Sequence, residues 1–223
     1  MVTIEEIINS VDYTLTNLAN QYPGVATLYQ WLTEETDYFT APASTKYHSN
    51  YDGGLCVHSY MVYKAFEELF PEVVKQRQTD IILICFLHDI CKTNFYKPYY
   101  RNIKQYDEKL WPENVNGRSI KYDALGKFIW MQEKGYMIDD SFPYGHGEKS
   151  VRLIEKHLRL PEDMAMAIRY HMGPWQETDK PNVSKVFETY PLAFMLHVAD
   201  GYATYILEPN FDKQKEGNNY DGN

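Results

Sequence analysis

Histidine and aspartate stand side by side at the end of an apolar run in this chain, in the segment FLHDICK at residues 86–92. Imidazole and carboxylate groups bind metal ions well, and a buried carboxylate without a partner is energetically costly. A lysine follows the aspartate by three residues. These side chains in an apolar setting therefore indicate a bound cation.

Three further segments place a metal ligand on an apolar face. If each segment is a helix, the ligand lies beside apolar residues that precede or follow it in the chain. Taken singly, each has a simpler interpretation, as a hydrogen-bonded core histidine or as an aspartate that caps a turn or pairs with a lysine. Together they favour a metal centre, because independent core histidines have no reason to recur on every major helix. The ligands and their apolar neighbours are His58 with Met61 and Val62, His171 with Met164 and Ile168, and Asp200 with Leu196 and Ala199.

The elements that must position these ligands are predicted to be helices. Thr3 and Glu6 have capping-box spacing, and the apolar residues that follow them form one helical stripe. The run DIILICFLHDIC at residues 80–91 is apolar on nearly every side, and its length favours a central buried helix over a strand. Other predicted helical segments cover residues 26–33, 56–70, 148–160, 161–172 and 191–207.

Residues 93–145 are rich in Tyr, Trp, Asn, Gly and Pro and show no sustained period. We predict an irregular insertion here that can contain a short hairpin, with one helical segment at residues 122–135. The chain as a whole is predicted to be all-α. It is expected to form a single helical domain over residues 1–210, followed by a polar, flexible tail over residues 211–223.

The composition is that of a soluble globular protein, with 44% apolar and 24% charged residues. The formal net charge of −9 disfavours duplex DNA and anionic membranes as partners, since both attract a broad positive surface. Acidic residues at the start of the chain, and the lack of an apolar stretch of about 20 residues, predict a cytoplasmic protein. The three cysteines form no CxxC pair, so we expect reduced and mostly buried thiols.

Five ordered segments containing these ligands resemble the signature of the HD-domain metal-dependent phosphohydrolase superfamily. The likeness is greatest to bacterial and phage members with a glycine pair before the first histidine. It covers about residues 47–205 and implies the helical bundle of an HD domain. In chain order the segments are GGLCVHS, LHDICK, GHGEKS, IRYHMG and LHVAD.

The resemblance also implies a set of metal ligands. The residues that match the first metal site are His58, His88, Asp89 and Asp200. In members with two metals, the positions of His146 and His171 bind the second ion, and that of Asp89 bridges the two. Met172 stands where some relatives have a second adjacent histidine, and a thioether binds hard ions poorly, so the second site can be weaker. A single metal, with His146 or His171 as a proton donor, is the alternative.

Lys92 is a candidate catalytic and substrate-binding residue together with Asp89. It follows His88 by four residues, so on a continuing helix it would share that face and could neutralise a phosphate oxygen. The alternative is a lysine stabilised by the dipole at a helix C-terminus.

Four other side chains are candidates for contact with the substrate. Lys97 and Arg101 lie among tyrosines, where cations can meet phosphates and rings can stack on bases. Packed tyrosines with solvated cations are the simpler interpretation of that segment. His197 precedes Asp200 by three residues, with packing as its alternative role, and His48 is a weaker candidate near the mouth of the site.

The resemblance implies hydrolysis of a phosphoester in a nucleotide or a related small phosphorylated substrate by a metal-activated hydroxide. One or two divalent ions would be the cofactors, and the ligand types suit Mn, Fe, Zn, Co, Ni or Mg without identifying the ion. Two alternatives remain open: a diiron oxygenase of the same superfamily, and a non-catalytic module that binds a metal or a nucleotide. The sequence does not determine the oligomeric state.

Overall fold

The computed structural model describes residues 2–46, 49–175 and 182–212. This part of the chain is mostly helical, and one continuous apolar cluster joins its helices. The helices are α1 (Ile4–Gln21), α2 (Pro23–Glu34), α3 (Gly54–Leu69), α4 (Pro71–Leu87), α5 (His146–Ile154), α6 (Glu162–Tyr170), α7 (Val183–Thr189) and α8 (Pro191–Tyr202). Helix α3 lies against α1, α4 and α8, and α6 lies against α4, α5 and α8.

Helix α1 begins where the sequence predicts. The Thr3 side chain accepts a hydrogen bond from the Glu6 amide at 3.1 Å, and the Glu6 carboxylate accepts one from the Thr3 amide at 2.7 Å. This capping box, which is confirmed, satisfies two amides that the start of a helix leaves unpaired. The buried stripe runs through Val11 and Leu15 and faces α2 and α3.

Helix α4 supplies the centre of the core. Residues 81–87 are all buried and helical, so the prediction of a central buried helix is confirmed. Its bounds differ from the prediction, because the helix begins at Pro71, bends at Arg77 and ends at Leu87. The bend lies where the φ of Arg77 is −135° and its ψ is 40°.

The chain turns immediately after α4. Asp89 has φ −105° and ψ 18°, outside the helical region, and a 3-10 turn follows at Ile90–Lys92. The continuing helix assumed for Lys92 and His88 is therefore wrong. The tighter turn still directs the Lys92 side chain toward Asp89, because residues three apart lie on the same side of a 3-10 turn.

The insertion between α4 and α5 corrects the all-α prediction. It contains an antiparallel sheet of three strands in the order β1–β3–β2. The strands are β1 (Tyr96–Gln105), β2 (Lys121–Asp123) and β3 (Gly126–Ile138). The helix predicted at residues 122–135 is wrong. Exposure alternates over residues 130–135 as in a strand, and β1 pairs with residues 129–138.

Beyond α8 the chain makes a π-helical turn at Ala203–Leu207 before the buried Glu208. Such turns are rare and often occur at functional sites. Phe211 packs with Ile7 and Val57. Residues 213–223 of the predicted tail, and His48, lie outside the described residues. In the described ranges, no helix combines the length and apolar character needed to cross a membrane.

Candidate metal centre

Three segments far apart in sequence bring four ligand residues to one place. His58 lies within α3, His88 caps the end of α4, Asp89 follows it, and Asp200 lies within α8. The Nε2 atom of His58 lies 3.2 Å from Nε2 of His88 and 3.3 Å from Oδ1 of Asp200. It also lies 3.5 Å from Oδ2 of Asp89. All four side chains are buried.

Two of the histidines, each at the end of a helix, are oriented by a hydrogen bond to the carbonyl oxygen three residues earlier. The Nδ1 atom of His88 lies 2.8 Å from the Cys85 carbonyl oxygen, and Nδ1 of His171 lies 2.6 Å from that of Ile168. A carbonyl oxygen only accepts hydrogen bonds, so each Nδ1 carries the proton and donates. The Nε2 atom of each ring therefore points into the centre, as a metal ligand requires.

His58 is oriented by a carboxylate instead of a carbonyl. Its Nδ1 lies 2.7 Å from Oε1 of Glu208, while Oε2 of Glu208 accepts a hydrogen bond from the Ser49 hydroxyl at 2.6 Å. Glu208 is only 1% exposed. A carboxylate on the outer nitrogen fixes the tautomer of an imidazole and raises its basicity toward a metal.

The two oxygens of Asp89 face different partners. Oδ2 lies 3.5 Å from His58, 3.6 Å from His88 and 2.6 Å from Nζ of Lys92. Oδ1 faces the other side and contacts the remaining two histidines, with Nε2 of His146 at 2.6 Å and Nε2 of His171 at 3.4 Å. Asp89 thus lies between two groups of imidazoles.

The electrostatics of the centre favour a cation. Burial opposes the charged form of His58, but the charges of Glu208 and Asp200 outweigh it and raise the pKa of His58 to about 10. Burial lowers the pKa of His88 to about 3, so this ring is neutral. Burial also opposes ionisation of Asp89, yet Lys92 and the neighbouring imidazoles hold the pKa of Asp89 well below its usual range. The negative charges that raise the pKa of His58 would favour a metal ion equally, and His58 gives up its proton when it binds one.

The separations between ligand atoms provide a test of fit. Metal–ligand bonds of about 2.0–2.2 Å at tetrahedral angles place neighbouring nitrogen and oxygen ligands about 3.4 Å apart. The distances from Nε2 of His58 and of His88 to each other and to the Asp89 and Asp200 oxygens span 3.2–3.6 Å, and Nε2 of His171 lies 3.4 Å from Oδ1 of Asp89. The buried Nε2 of His171 has no hydrogen-bond partner among the described residues. These buried groups could hold a metal ion, in overlapping triads whose ligand atoms lie within 4.8 Å of one another.

His146 joins the centre from the first residue of α5. Burial opposes its charged form, but the neighbouring Cys91 and Asp89 outweigh burial and raise the pKa of His146 to about 10. Its side chain is 30% exposed, against 1% for His58 and His171. Cys91 lies beside it, with Sγ 3.4 Å from Nδ1 of the imidazole.

A cavity of about 310 Å³ opens onto four of the ligands: His58, Asp89, His146 and Asp200. Lys92 and Tyr96 line its wall beside Asp89, and Met172 lines it too. Its volume lies at the small end of the range for small-molecule sites, about 300–1,000 Å³. The cavity therefore gives a small solute access to the ligand atoms.

The other predicted substrate contacts lie elsewhere. Lys97 pairs with Asp139, and Arg101 pairs with Glu133 across the strands at 2.5 Å. Neither is among the residues that line the cavity. A substrate confined to the cavity would meet Lys92 and not these two cations, so their contact with substrate stays a prediction.

His197 packs beside the centre without lining the cavity. Its Nδ1 donates a hydrogen bond to the His171 carbonyl oxygen at 2.7 Å, and its ring lies against Trp175 and Phe187. This contact links the end of α6 to α8. The geometry matches the packing role that the sequence left open.

Two residues at the centre were not singled out from the sequence as ligands or partners. Glu208 follows Asp200 by eight residues. Residues about four apart lie on the same face of a helix, so this spacing was the available signal. Cys91 follows Asp89 by two residues and was expected only to be a buried thiol. Its neighbours are set by the 3-10 turn, which the sequence pattern did not predict.

No protein-family model, curated protein or solved structure matches this chain.

Proposed function

We propose that this chain is a metal-dependent phosphohydrolase of the HD-domain type, acting on a nucleotide or a related small phosphorylated substrate. The observation that carries the proposal is the position of Asp89. Its carboxylate lies between two groups of imidazoles, contacts Lys92, and faces an open cavity. A carboxylate in that position can bridge two cations.

The residues that would hold the first ion are His58, His88, Asp89 and Asp200, and those for the second are Asp89, His146 and His171. Divalent ions bound there would supply a water of lowered pKa and positive charge for the phosphoryl oxygens. An imidazole is a neutral ligand once it binds a metal, so this site would leave more of that positive charge uncompensated than a site made only of carboxylates, which favours an anionic substrate.

Lys92 is suited to orient such a substrate. Asp89 raises the pKa of Lys92 despite its burial, so the ammonium group stays charged at the wall of the cavity. A phosphate oxygen placed there would gain a charge-assisted hydrogen bond from Nζ. Tyr96 lies nearby, and its hydroxyl donates to the Ala43 carbonyl oxygen at 3.2 Å.

A screen for phosphate release tests the proposal. The metal-free chain would be loaded separately with Mn, Fe, Zn, Co, Ni or Mg and assayed with nucleoside mono-, di- and triphosphates and cyclic nucleotides. We expect release with at least one metal, and a loss of about 100-fold or more in Asp89→Asn because the carboxylate acts in the transition state. Asp107→Asn, the same change at an exposed carboxylate, is the matched control.

Full activity in Asp89→Asn would contradict the assignment of the centre. Oxygen consumption by the iron-loaded chain without phosphate release would favour the oxygenase alternative instead. Tight nucleotide binding without turnover under every metal would favour the non-catalytic module.

A further inference from the structure

The thiol of Cys91 differs from the other two cysteines in its surroundings. Cys56 and Cys85 belong to the apolar core cluster, where a thiol acts as a small hydrophobic side chain. Cys91 is just as buried, at 3% exposed, but its sulfur faces the imidazole of His146. A buried thiol among polar ligands requires a different explanation from one in an apolar core.

The distances around Cys91 fit a coordination site. Sγ lies 3.4 Å from Nδ1 of His146 and 3.5 Å from Nε2. Bonds of about 2.3 Å to sulfur and about 2.0 Å to nitrogen, at a tetrahedral angle, separate the two ligand atoms by about 3.5 Å. Ligand atoms of Asp89, Cys91 and His146 all lie within 4.8 Å of one another.

A second observation at the same carboxylate points to a ligand. Within the part of the chain that the structure describes, the Nε2 atom of His171 is buried without a hydrogen-bond partner, and it lies 3.4 Å from Oδ1 of Asp89. This is the oxygen that His146 contacts at 2.6 Å. That shorter distance is a direct hydrogen bond, and His146 has the most exposed side chain of the histidine ligands, so it has room to adjust.

The surrounding structure holds the thiol and the imidazole together. The amide of Cys91 donates a hydrogen bond to the Ser150 hydroxyl at 3.2 Å, and Ser150 is fully buried. Ser150 follows His146 by four residues, so both lie on one face of α5. The 3-10 turn and α5 therefore fix the two ligands relative to each other before any ion binds.

We propose that Cys91 is a metal ligand, acting with Asp89 and His146, and that the ion site beside α5 is a thiolate site. Three protein ligands leave a coordination position open toward the cavity, as in catalytic sites. The thiol releases its proton to solvent on coordination. A thiolate favours zinc, cobalt or iron over magnesium or manganese. The inference rests on the proposed metal centre and revises the ligands of its second ion: Cys91 takes the place given to His171, whose ligand atom groups with those of His88 and Asp89.

Cobalt(II) provides a direct test, because a thiolate bound to cobalt produces an intense near-ultraviolet charge-transfer absorption. The metal-free chain would be titrated with cobalt, recording absorption and bound cobalt per chain. We expect the band in the wild-type chain and in Cys56→Ala and Cys85→Ala, the two spectral controls. We expect Cys91→Ala and the near-isosteric Cys91→Ser to lose it. Their cobalt affinity at this site should fall by more than the roughly 10–100-fold typical for loss of an outer partner.

The outcomes separate this inference from the proposed function. Cobalt binding to the wild-type chain without the band would overturn the role of Cys91 and leave the metal centre standing. A band that persists in both Cys91 variants would overturn it as well. A wild-type chain that binds no cobalt would overturn the thiolate site and the metal centre together. The wild-type spectrum is decisive by itself, so the test does not depend on the folding of a variant.

Discussion

Three buried imidazoles in the metal centre are each oriented by a hydrogen bond to Nδ1, the ring nitrogen that faces away from the other ligands. His88 and His171 use the carbonyl three residues earlier, which is free because the helix ends there. His58 lies inside a helix, where that carbonyl is already bonded, and it uses Glu208 instead. The orientation of the ligands therefore depends on where the helices end as well as on residue type.

The role of Glu208 can be tested through metal affinity. Glu208→Ala removes the acceptor for Nδ1 of His58, and we expect the first ion to bind about 10–100-fold more weakly. Glu208→Gln keeps an acceptor oxygen without the charge, so its affinity should be intermediate. Calorimetric titration of the metal-free chain measures both.

Glu72→Ala, at an exposed carboxylate on α4, is the control and should bind metal as the wild-type chain does. Equal affinities for Glu208→Ala and the wild-type chain would show that the buried carboxylate does not support His58.

At the scale of elements, the approach of α5 to α6 positions His146 near His171. Gly147, the second residue of α5, permits this approach, because a Cβ built there would lie 2.2 Å from the Arg169 carbonyl oxygen and 2.5 Å from that of Ile168. Both are backbone atoms, so the helices would have to separate. The same Ile168 oxygen accepts the hydrogen bond that orients His171.

Gly147→Ala should therefore lower both stability and metal affinity. We expect a loss of about 1–3 kcal/mol in the free energy of unfolding, typical of overpacking, despite the better helix propensity of alanine. Denaturant unfolding measures the first effect and metal titration the second. Gly117→Ala is the control, because a Cβ there meets nothing within 4 Å. Unchanged stability in Gly147→Ala would contradict the close packing described here.

The sheet is joined to the helical body by Asp52, just before α3. Lys134 donates to this carboxylate at 2.6 Å, and the Tyr136 hydroxyl donates to it as well. Partial burial works against the ionised form, but these hydrogen bonds outweigh it and lower the pKa of Asp52 below its ordinary value of 3.8. The contact is therefore fully formed above pH 3.8 and is lost as the pH falls through the lower pKa of the folded state.

Asp52→Asn should loosen the sheet at neutral pH. The carboxylate is largely exposed, so we expect a cost of at most about 1 kcal/mol, seen as faster hydrogen exchange in β1 and β3. The difference from the wild-type chain should shrink as the pH falls below 3.8. Asp123→Asn, which alters a pair with Lys104 inside the sheet, is the control. Identical exchange of the strands in Asp52→Asn and wild type at neutral pH would count against this contact.

The insertion contains strands where the sequence predicted a helix. The apolar and aromatic residues of segment 122–135 are compatible with one face of a helix, and a helix was predicted. Its backbone instead pairs with β1, from Tyr96 opposite Ile138 to Gln105 opposite Ile129. Pairing across about 30 residues of chain is not visible in a local pattern, because β structure depends on its partner strand.

For the whole molecule, a bound metal would link segments from most of the chain, so its removal should destabilise the entire fold. At an ion concentration about 100 times the Kd, binding adds about 2.7 kcal/mol. For a domain of about 200 residues this corresponds to roughly 5–10 °C in Tm. We expect a chelator to lower the Tm by that amount in the metal-loaded chain. Asp89→Asn should show a much smaller effect, and an unchanged wild-type Tm would argue against an ion in the core.

Local sequence patterns were enough to predict the main helices and the residue types on their buried faces, because helical periodicity and caps such as that of Thr3 and Glu6 are local properties. The distances among the ligands, the presence of Glu208 and Cys91 at the centre, and the sheet within the insertion became visible only in the folded chain. These features depend on contacts between distant segments and on where α4 and α6 end. Local patterns specify neither, since the ends and the contacts are fixed only when the whole core packs.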